Sequence, residues 1–188
     1  MKNIFWGFFF LFVNFNLTVN GHILNLLPPF VGCWLLYRGF EELRAESERF
    51  YALRPFAVGL GIYTALIWIG DLLGVSTGSW ISVLLGIVAS AVELYIAWGV
   101  IQGLREAEEY RQADLNANGM YRAWRVMLVT QIAAYVLQLL ILAQSWGLTA
   151  ALAVIVVIAG FVGAILFLVA VWRSRKLYEA LPPLQEEL

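Results

Sequence analysis

The sequence predicts an all-α, polytopic transmembrane bundle of six spans arranged as three hairpins. The chain is 62% hydrophobic and 13% charged, whereas soluble domains carry about 25% charged residues. Its mean hydropathy is +0.79, and several apolar runs are long enough to cross a hydrocarbon core about 30 Å thick. The twelve Lys and Arg residues fall only in alternate connectors between these runs. Residues 1–188 therefore form a single transmembrane domain.

The hydropathy pattern places the spans at about residues 4–19, 22–37, 56–75, 80–104, 124–143 and 149–172. The first two are short, and Pro28 and Pro29 remove two backbone donors from the second. Such a pair breaks or kinks a helix, and inside lipid the freed backbone groups need partners. Four spans plus a re-entrant N-terminal hairpin are the alternative.

The distribution of positive charge predicts the orientation. Apart from Lys2 and Arg125, the Lys and Arg residues lie in segments 38–55, 105–123 and 173–188. Because cytoplasmic loops carry the excess of Lys and Arg, these segments and both termini are predicted to be cytoplasmic. An even number of spans follows, and both alternatives satisfy it.

Segment 38–55 mixes charges at a helical period, which predicts a solvated extension of the second helix that ends at Pro55. Residues three or four apart share a helix face, so ion pairs are expected within the segment. The expected pairs are Glu41 with Arg44, Arg44 with Glu48, and Glu46 with Arg49.

Segment 105–123 also mixes charges at a helical period, and Arg105 is expected to pair with Glu109. Asn118-Gly119 is typical of a helix stop. The run 114–119 copies the first half of a calcium loop, but position twelve of that loop is Arg125 instead of a bidentate glutamate. We interpret it as a turn.

Glu93 lies near the middle of the 80–104 span, where a carboxylate is costly unless it is protonated, paired or hydrated. Gly86, Ala89, Ser90 and Ala97 share its helix face, and small residues let a neighbouring helix approach closely. In the fifth span a polar stripe follows an i, i+4, i+7 pattern, formed by Gln131, Tyr135 and Gln138. We expect the two faces to meet, with glutamine amides bonded to the carboxyl, either as a structural contact or as a transport site.

A second candidate polar site is the N-terminal bend, formed by Asn14, Asn16, Asn20 and His22. Polar residues beside a broken helix are a pointer to transport sites, although asparagines at the membrane interface explain the pattern equally simply. His22 has no second histidine or carboxylate cluster near it, and Cys33 is expected to be a small buried hydrophobe. We expect no catalytic residues, metal or cofactor.

The N-terminal third resembles a group of small multi-pass membrane proteins of Firmicutes that has no assigned function. The resemblance lies in the opening MKNIFWG, the bend FNLTVNGH, then LLPPFVG and the exit YRGFEEL. Members of the group carry an acid at the position of Pro29 and an aromatic residue at that of Cys33, so this chain departs there. The resemblance implies a bacterial cytoplasmic membrane.

The function expected from these features is that of a non-enzymatic membrane protein acting as a scaffold, sensor or regulatory partner. Segments 38–55 and 105–118 are the surfaces expected to bind a protein partner or a second copy, and the lipid bilayer is the other partner. No basic field for nucleic acid is present at a net charge of −1. The alternative is a small transporter or channel subunit with a polar intramembrane site around Glu93.

Overall fold

The protein is dominated by helix, as the fold class predicts, and a computed structural model describes residues 1–13, 16–19, 22–25, 27–73, 80–142 and 146–182. The helices are α1 (Lys2–Phe12), α2 (Pro29–Glu42), α3 (Glu48–Leu72), α4 (Trp80–Arg111), α5 (Ala117–Leu142) and α6 (Trp146–Glu179). Strands β1 (Asn16–Val19) and β2 (His22–Asn25) form an antiparallel hairpin between α1 and α2.

The helices form a closed ring. Each packs against the next one along the chain, α1 packs against α6, and β2 contacts α3. Connections 43–47 and 112–116 lie at one end of the ring, where α6 also finishes; we call this the charged end. A ring of antiparallel neighbours with short connections is the usual solution for a helical bundle.

Three helices are long and apolar enough to cross a membrane within the described part of the chain, where the sequence predicts six. They are Glu48–Leu72, Val83–Arg111 and Leu152–Glu179. The predicted first span, 4–19, is wrong because α1 ends at Phe12 and is about 16 Å long.

The predicted second span, 22–37, is also wrong. Helix α2 begins only at Pro29, with Pro28 at its N-cap position, and reaches Glu42 over about 21 Å. The prolines start this helix instead of interrupting one. Proline lacks a backbone N–H, but an N–H in the first turn would have no partner within the helix, so nothing is lost there.

The helix boundaries at 38–55 differ from the prediction. Helix α2 ends at Glu42, and Pro55 lies inside α3 instead of ending the second helix. Helix α3 begins after Ser47, whose side chain accepts a hydrogen bond from the Arg49 N–H at 3.1 Å. This cap starts a new helix two turns before the proline. Pro55 therefore removes one backbone hydrogen bond from α3 but does not end the helix.

Asn118-Gly119 is not a helix stop but part of the first turn of α5. The Glu108 carboxylate accepts hydrogen bonds from the N–H groups of Leu115 at 2.8 Å and Ala117 at 2.9 Å. It therefore supplies the acceptor that the start of a helix needs. The turn predicted at 114–119 agrees with the structure only for residues 114–116, where the Asp114 carboxylate accepts from the Asn116 N–H at 2.8 Å; residues 117–119 belong to α5.

The tightest packing lies toward the charged end. Four phenylalanines from four helices are fully buried there: Phe8, Phe40, Phe50 and Phe167. The halves of the helices farther from that end carry many exposed apolar side chains, such as Ile62 at 60% and Val129 at 65%. This division is expected of a bundle whose charged end packs like a soluble core and whose remainder faces lipid.

Helices α1 and α2 touch backbone to backbone at two glycines. A Cβ placed on Gly32 would lie 2.6 Å from the Gly7 carbonyl oxygen, and one on Gly7 would lie 2.9 Å from the Gly32 oxygen. No side chain fits between them, so glycine at both positions sets the close approach of this pair.

Replacing Gly32 with Ala should destabilise the purified protein in detergent by about 1–3 kcal/mol, because the added methyl forces α1 and α2 apart. Gly59→Ala is the matched control, since a Cβ there meets no atom within 4 Å. It should leave stability unchanged or raise it by up to about 1 kcal/mol, the helix-propensity gain. Equal thermal midpoints for both variants would contradict the close contact.

Candidate functional site

Two of the four predicted intramembrane polar residues, Glu93 and Gln131, border a cavity of about 300 Å³ between α4, α5 and α6. Helix α4 contributes Ser90 and Glu93, α5 contributes Thr130 and Gln131, and Phe12 at the end of α1 closes one side. On each long helix the lining residues are three or four apart and so occupy one face. Helix α6 contributes only apolar residues and glycine, at Val157, Gly160, Phe161 and Ala164.

Glu93 is half-buried in this cavity, and within the described ranges its carboxylate forms no hydrogen bond or ion pair. Gln131 lies on the same cavity without bonding to it, so the expected amide contact is not formed. The first basic residue beyond it on α4, Arg105, is twelve positions or about 18 Å along the helix. Glu93 therefore faces open space instead of a partner.

Two hydroxyl groups of the cavity already donate their hydrogen bonds to backbone carbonyl groups. Ser90 Oγ donates to the Gly86 carbonyl at 2.6 Å, and Thr130 Oγ1 donates to the Val126 carbonyl at 2.9 Å. What these side chains still offer a ligand is oxygen lone pairs. Together with the Glu93 carboxylate they make the cavity rich in acceptors.

The α4 and α5 faces are joined next to the cavity. Tyr135 OH and Ser90 Oγ form a hydrogen bond, and since Ser90 donates to its own helix, Tyr135 is the donor. Trp124 Nε1 donates to the Leu94 carbonyl at 2.9 Å, so this indole also joins α5 to α4. Gln138 is apart from this group and borders a separate apolar cavity with Val83.

The small residues predicted to bring a helix against the Glu93 face do so only in part. Ala97 is buried, but a Cβ on Gly86 would meet no atom within 4 Å. The close approach to α4 lies at Gly99 and Gly103, whose flanks are filled by Leu53 and Phe50 of α3. The helix contact is nearer the charged end, and this leaves room for the cavity beyond it.

Sequence reasoning missed Thr130 and Phe12 as members of this group. Thr130 directly precedes Gln131 and lies three residues after Met127, so the helical spacing of the cavity face was a readable signal. No such signal exists for Phe12, because its position at the cavity depends on where α1 ends.

The N-terminal bend falls largely outside the described residues. Asn14 and Asn20 are among the undescribed positions, while Asn16 begins β1 and His22 begins β2. Cys33 is buried as predicted, next to Gly61. In the described ranges no group of three or more His, Cys, Asp or Glu residues is placed to hold a metal ion.

A polar junction holds the charged end together. The Glu46 carboxylate accepts hydrogen bonds from Arg111 Nε at 2.9 Å and from the Tyr178 hydroxyl at 2.8 Å. Arg111 also donates to the Pro182 carbonyl at 3.0 Å. We call Glu46, Arg111 and Tyr178 the Glu46 junction. The Arg111 hydrogen bonds lower the pKa of Glu46 from its ordinary value of 4.5, against the opposing effect of burial.

The ion pairs expected within segments 38–55 and 105–123 are absent from the described residues, which pair across helices instead. Arg49 bonds to Glu106, and Ser47 Oγ also donates to Glu106 at 2.5 Å. Arg44 stacks on Tyr51, and Arg105 donates to Asn118 at 3.3 Å. The helix break at 43–47 removes the helical geometry on which the three pairs predicted in segment 38–55 depended. Arg105 and Glu109 do share α4, but the Arg105 guanidinium bonds to Asn118 and stacks on Tyr121 instead.

Replacing Glu46 with Gln should destabilise the protein by about 1–3 kcal/mol at pH 7, because a nearly buried ion pair is broken while its shape is kept. The folded-state pKa of Glu46 is lowered, so the wild-type advantage is complete above about pH 4.5 and disappears as pH falls through that lowered value.

Denaturation of both proteins in detergent between pH 7 and pH 3 measures this difference. Glu109→Gln, on an exposed side chain of α4, is the control and should match the wild type throughout. A constant gap between wild type and E46Q down to pH 3 would contradict the role of the carboxylate charge.

No protein-family model, curated protein or solved structure matches this chain. The resemblance of the N-terminal third to Firmicutes membrane proteins stays an expectation.

Proposed function

We propose that the chain is a multi-pass protein of a bacterial cytoplasmic membrane with four full spans, α3 to α6, and a re-entrant pair, α1 and α2. Its charged end and both termini face the cytoplasm. The Glu46 junction supports this proposal, because it joins segments 38–55, 105–123 and 173–188, which carry most of the positive charge.

Helix α5 is included as a span because of its neighbours. It begins at the charged end with Ala117, has 26 residues and packs along α4 and α6. A helix of this length extends about 39 Å. If α4 and α6 cross the bilayer, α5 crosses between them, and two of its polar side chains, Thr130 and Gln131, line the Glu93 cavity.

Helices α1 and α2 are about 16 and 21 Å long. Each is too short to cross a hydrocarbon core about 30 Å thick by itself. Strands β1 and β2 pair residues 16–19 with residues 22–25. Such pairing supplies partners to backbone groups that have no water inside a membrane. A re-entrant pair with a paired tip fits these elements.

This topology is tested with single cysteines in a Cys33→Ser background. Cysteine at Glu48 or Glu109 should react with an impermeant maleimide only in inside-out vesicles, and cysteine at Leu73 only in intact cells. All three positions are exposed. Labelling of positions 48 and 109 from opposite sides would refute the arrangement.

We further propose that the protein binds a small cation, or a proton with its solute, in the Glu93 cavity and acts as a small transporter or channel subunit. The observation that carries this proposal is a half-buried carboxylate that borders a cavity between α4, α5 and α6 and has no hydrogen-bond or ion-pair partner among the described residues. An ionised carboxylate at this depth costs several kcal/mol unless a positive charge neutralises it. The ligand supplies that charge.

The rest of the lining favours a cation over an anion. The Ser90 and Thr130 hydroxyls present acceptor oxygens, since both donate to their own helix. Phe12 and Phe161 add aromatic rings, whose faces attract cations. A volume of about 300 Å³ is at the small end of ligand sites and suits an ion or a small amine.

The test is flux through proteoliposomes, read as proton entry by an internal pH dye and as uptake of radiolabelled methylammonium. Wild type should exceed protein-free vesicles, Glu93→Gln should lower flux at least tenfold, and Gln131→Leu should lower it severalfold. Gln138→Leu is the matched control on the same helix and should keep wild-type flux. Background flux for wild type and E93Q alike would remove the transport proposal.

A second candidate function is scaffolding of a protein partner through segments 38–55 and 105–118. Two exposed aromatic side chains at the charged end favour it, Tyr51 at 49% and Tyr110 at 64% exposure, because tyrosine is enriched in protein interfaces. Flux at background level, together with a partner lost on Tyr51→Ser or Tyr110→Ser, would support this function instead.

A further inference from the structure

A second cleft, of about 380 Å³, lies between the start of α5 and the end of α6. Its polar lining is Asn116, Arg122 and Arg173, and its apolar wall includes Val126, Leu166 and Val169. The Asn116 amide donates to the Ala170 carbonyl at 3.2 Å and so fixes the two helices at this point. The cleft is separate from the Glu93 cavity, which shares none of these residues.

The two arginines of the cleft are unusual in this chain because they have no partner in the described part of it. Seven of the ten arginines bond to a carboxylate, an amide or a hydroxyl, or stack on an aromatic ring: Arg38, Arg44, Arg49, Arg54, Arg105, Arg111 and Arg175. The three that do neither are Arg122, Arg125 and Arg173, all on α5 and α6. Two of these three line the same cleft.

The cleft changes from charged to apolar along the helix axes. Val126 is one turn beyond Arg122, about 6 Å deeper, and Leu166 is about 10 Å deeper than Arg173. The apolar side chains are exposed, at 40% for Val126, 48% for Leu166 and 45% for Val169. Two exposed arginines without partners in the described chain thus lie at the charged end of an exposed apolar groove.

We propose that this α5–α6 cleft binds one anionic phospholipid from the leaflet that contacts the charged end. The phosphate lies between the Arg122 and Arg173 guanidinium groups, which suit phosphate oxygens in geometry and charge. An acyl chain lies along Val126, Leu166 and Val169. Basic pockets between helices at this depth are suited to anionic headgroups, and a free anion would leave the apolar groove uncovered.

The experiment measures lipid retained by the purified protein in native mass spectrometry and the thermal midpoint in detergent. The probes are phosphatidylglycerol, phosphatidylcholine and inorganic phosphate. Wild type should retain phosphatidylglycerol and gain several degrees from it, with little response to the other two. The double variant R122Q/R173Q should retain at least fivefold less phosphatidylglycerol.

The matched control is R38Q/R125Q, which removes the same charge from positions outside the cleft and should bind as the wild type does. Equal loss in both double variants would show diffuse attraction of anionic lipid and overturn the proposal. A response to inorganic phosphate as large as that to phosphatidylglycerol would overturn it too, because the apolar groove would then be unused.

Val169→Trp keeps both arginines and fills the groove, so it should also weaken retention of phosphatidylglycerol severalfold. This variant keeps the proposal testable if R122Q/R173Q folds poorly, which helix content and elution volume reveal. Retention at the wild-type level by a folded R122Q/R173Q, or by a folded V169W, would contradict the binding mode.

Discussion

The Glu46 carboxylate joins parts of the chain that are far apart in sequence. Its partners Arg111 and Tyr178 lie 65 and 132 residues further along, in the last turns of α4 and α6. Because one buried acid is bonded to both, the three helical hairpins must present the same ends together. The junction thus ties together the ends of α4 and α6 and the connection between α2 and α3. The arrangement of the helices at this end depends on this contact.

The close packing at the charged end determines where space can remain between the helices. Phe50 and Leu53 fill the flanks of Gly103 and Gly99, which draws α3 against α4 near the charged end. Farther along α4, at Gly86, no neighbouring atom comes within contact distance. Glu93 lies between these two regions, so it sits where close packing gives way to open volume. The cavity therefore lies beyond the region where α3 packs closely against α4.

The sequence was sufficient for the helical class, for the long apolar helices and for the shared cavity face of Glu93 and Gln131, since these follow from composition and helical period. It did not place the ends of α1 and α2, where Pro28 and Pro29 allow both a kink and a helix start. It also assigned Arg49 and Glu46 to each other, whereas they bond to Glu106 and Arg111. Local spacing limits which residues can meet within one helix, but contacts between connectors depend on packing that only the folded chain defines.

The placement of positive charge explains why Glu93 has no partner within the described chain. Every Lys and Arg lies in the N-terminal residue pair or near the charged end, as insertion into a membrane favours. This leaves the interior of the bundle without a resident cation, so a neutralising charge at Glu93 has to come from a ligand or a proton. The same segregation leaves Arg122 and Arg173 at the rim of an apolar cleft, where an anion can meet them. The segregation of charge thus leaves one acid without a basic partner between the helices and two bases without an acidic partner toward the charged end, among the described residues.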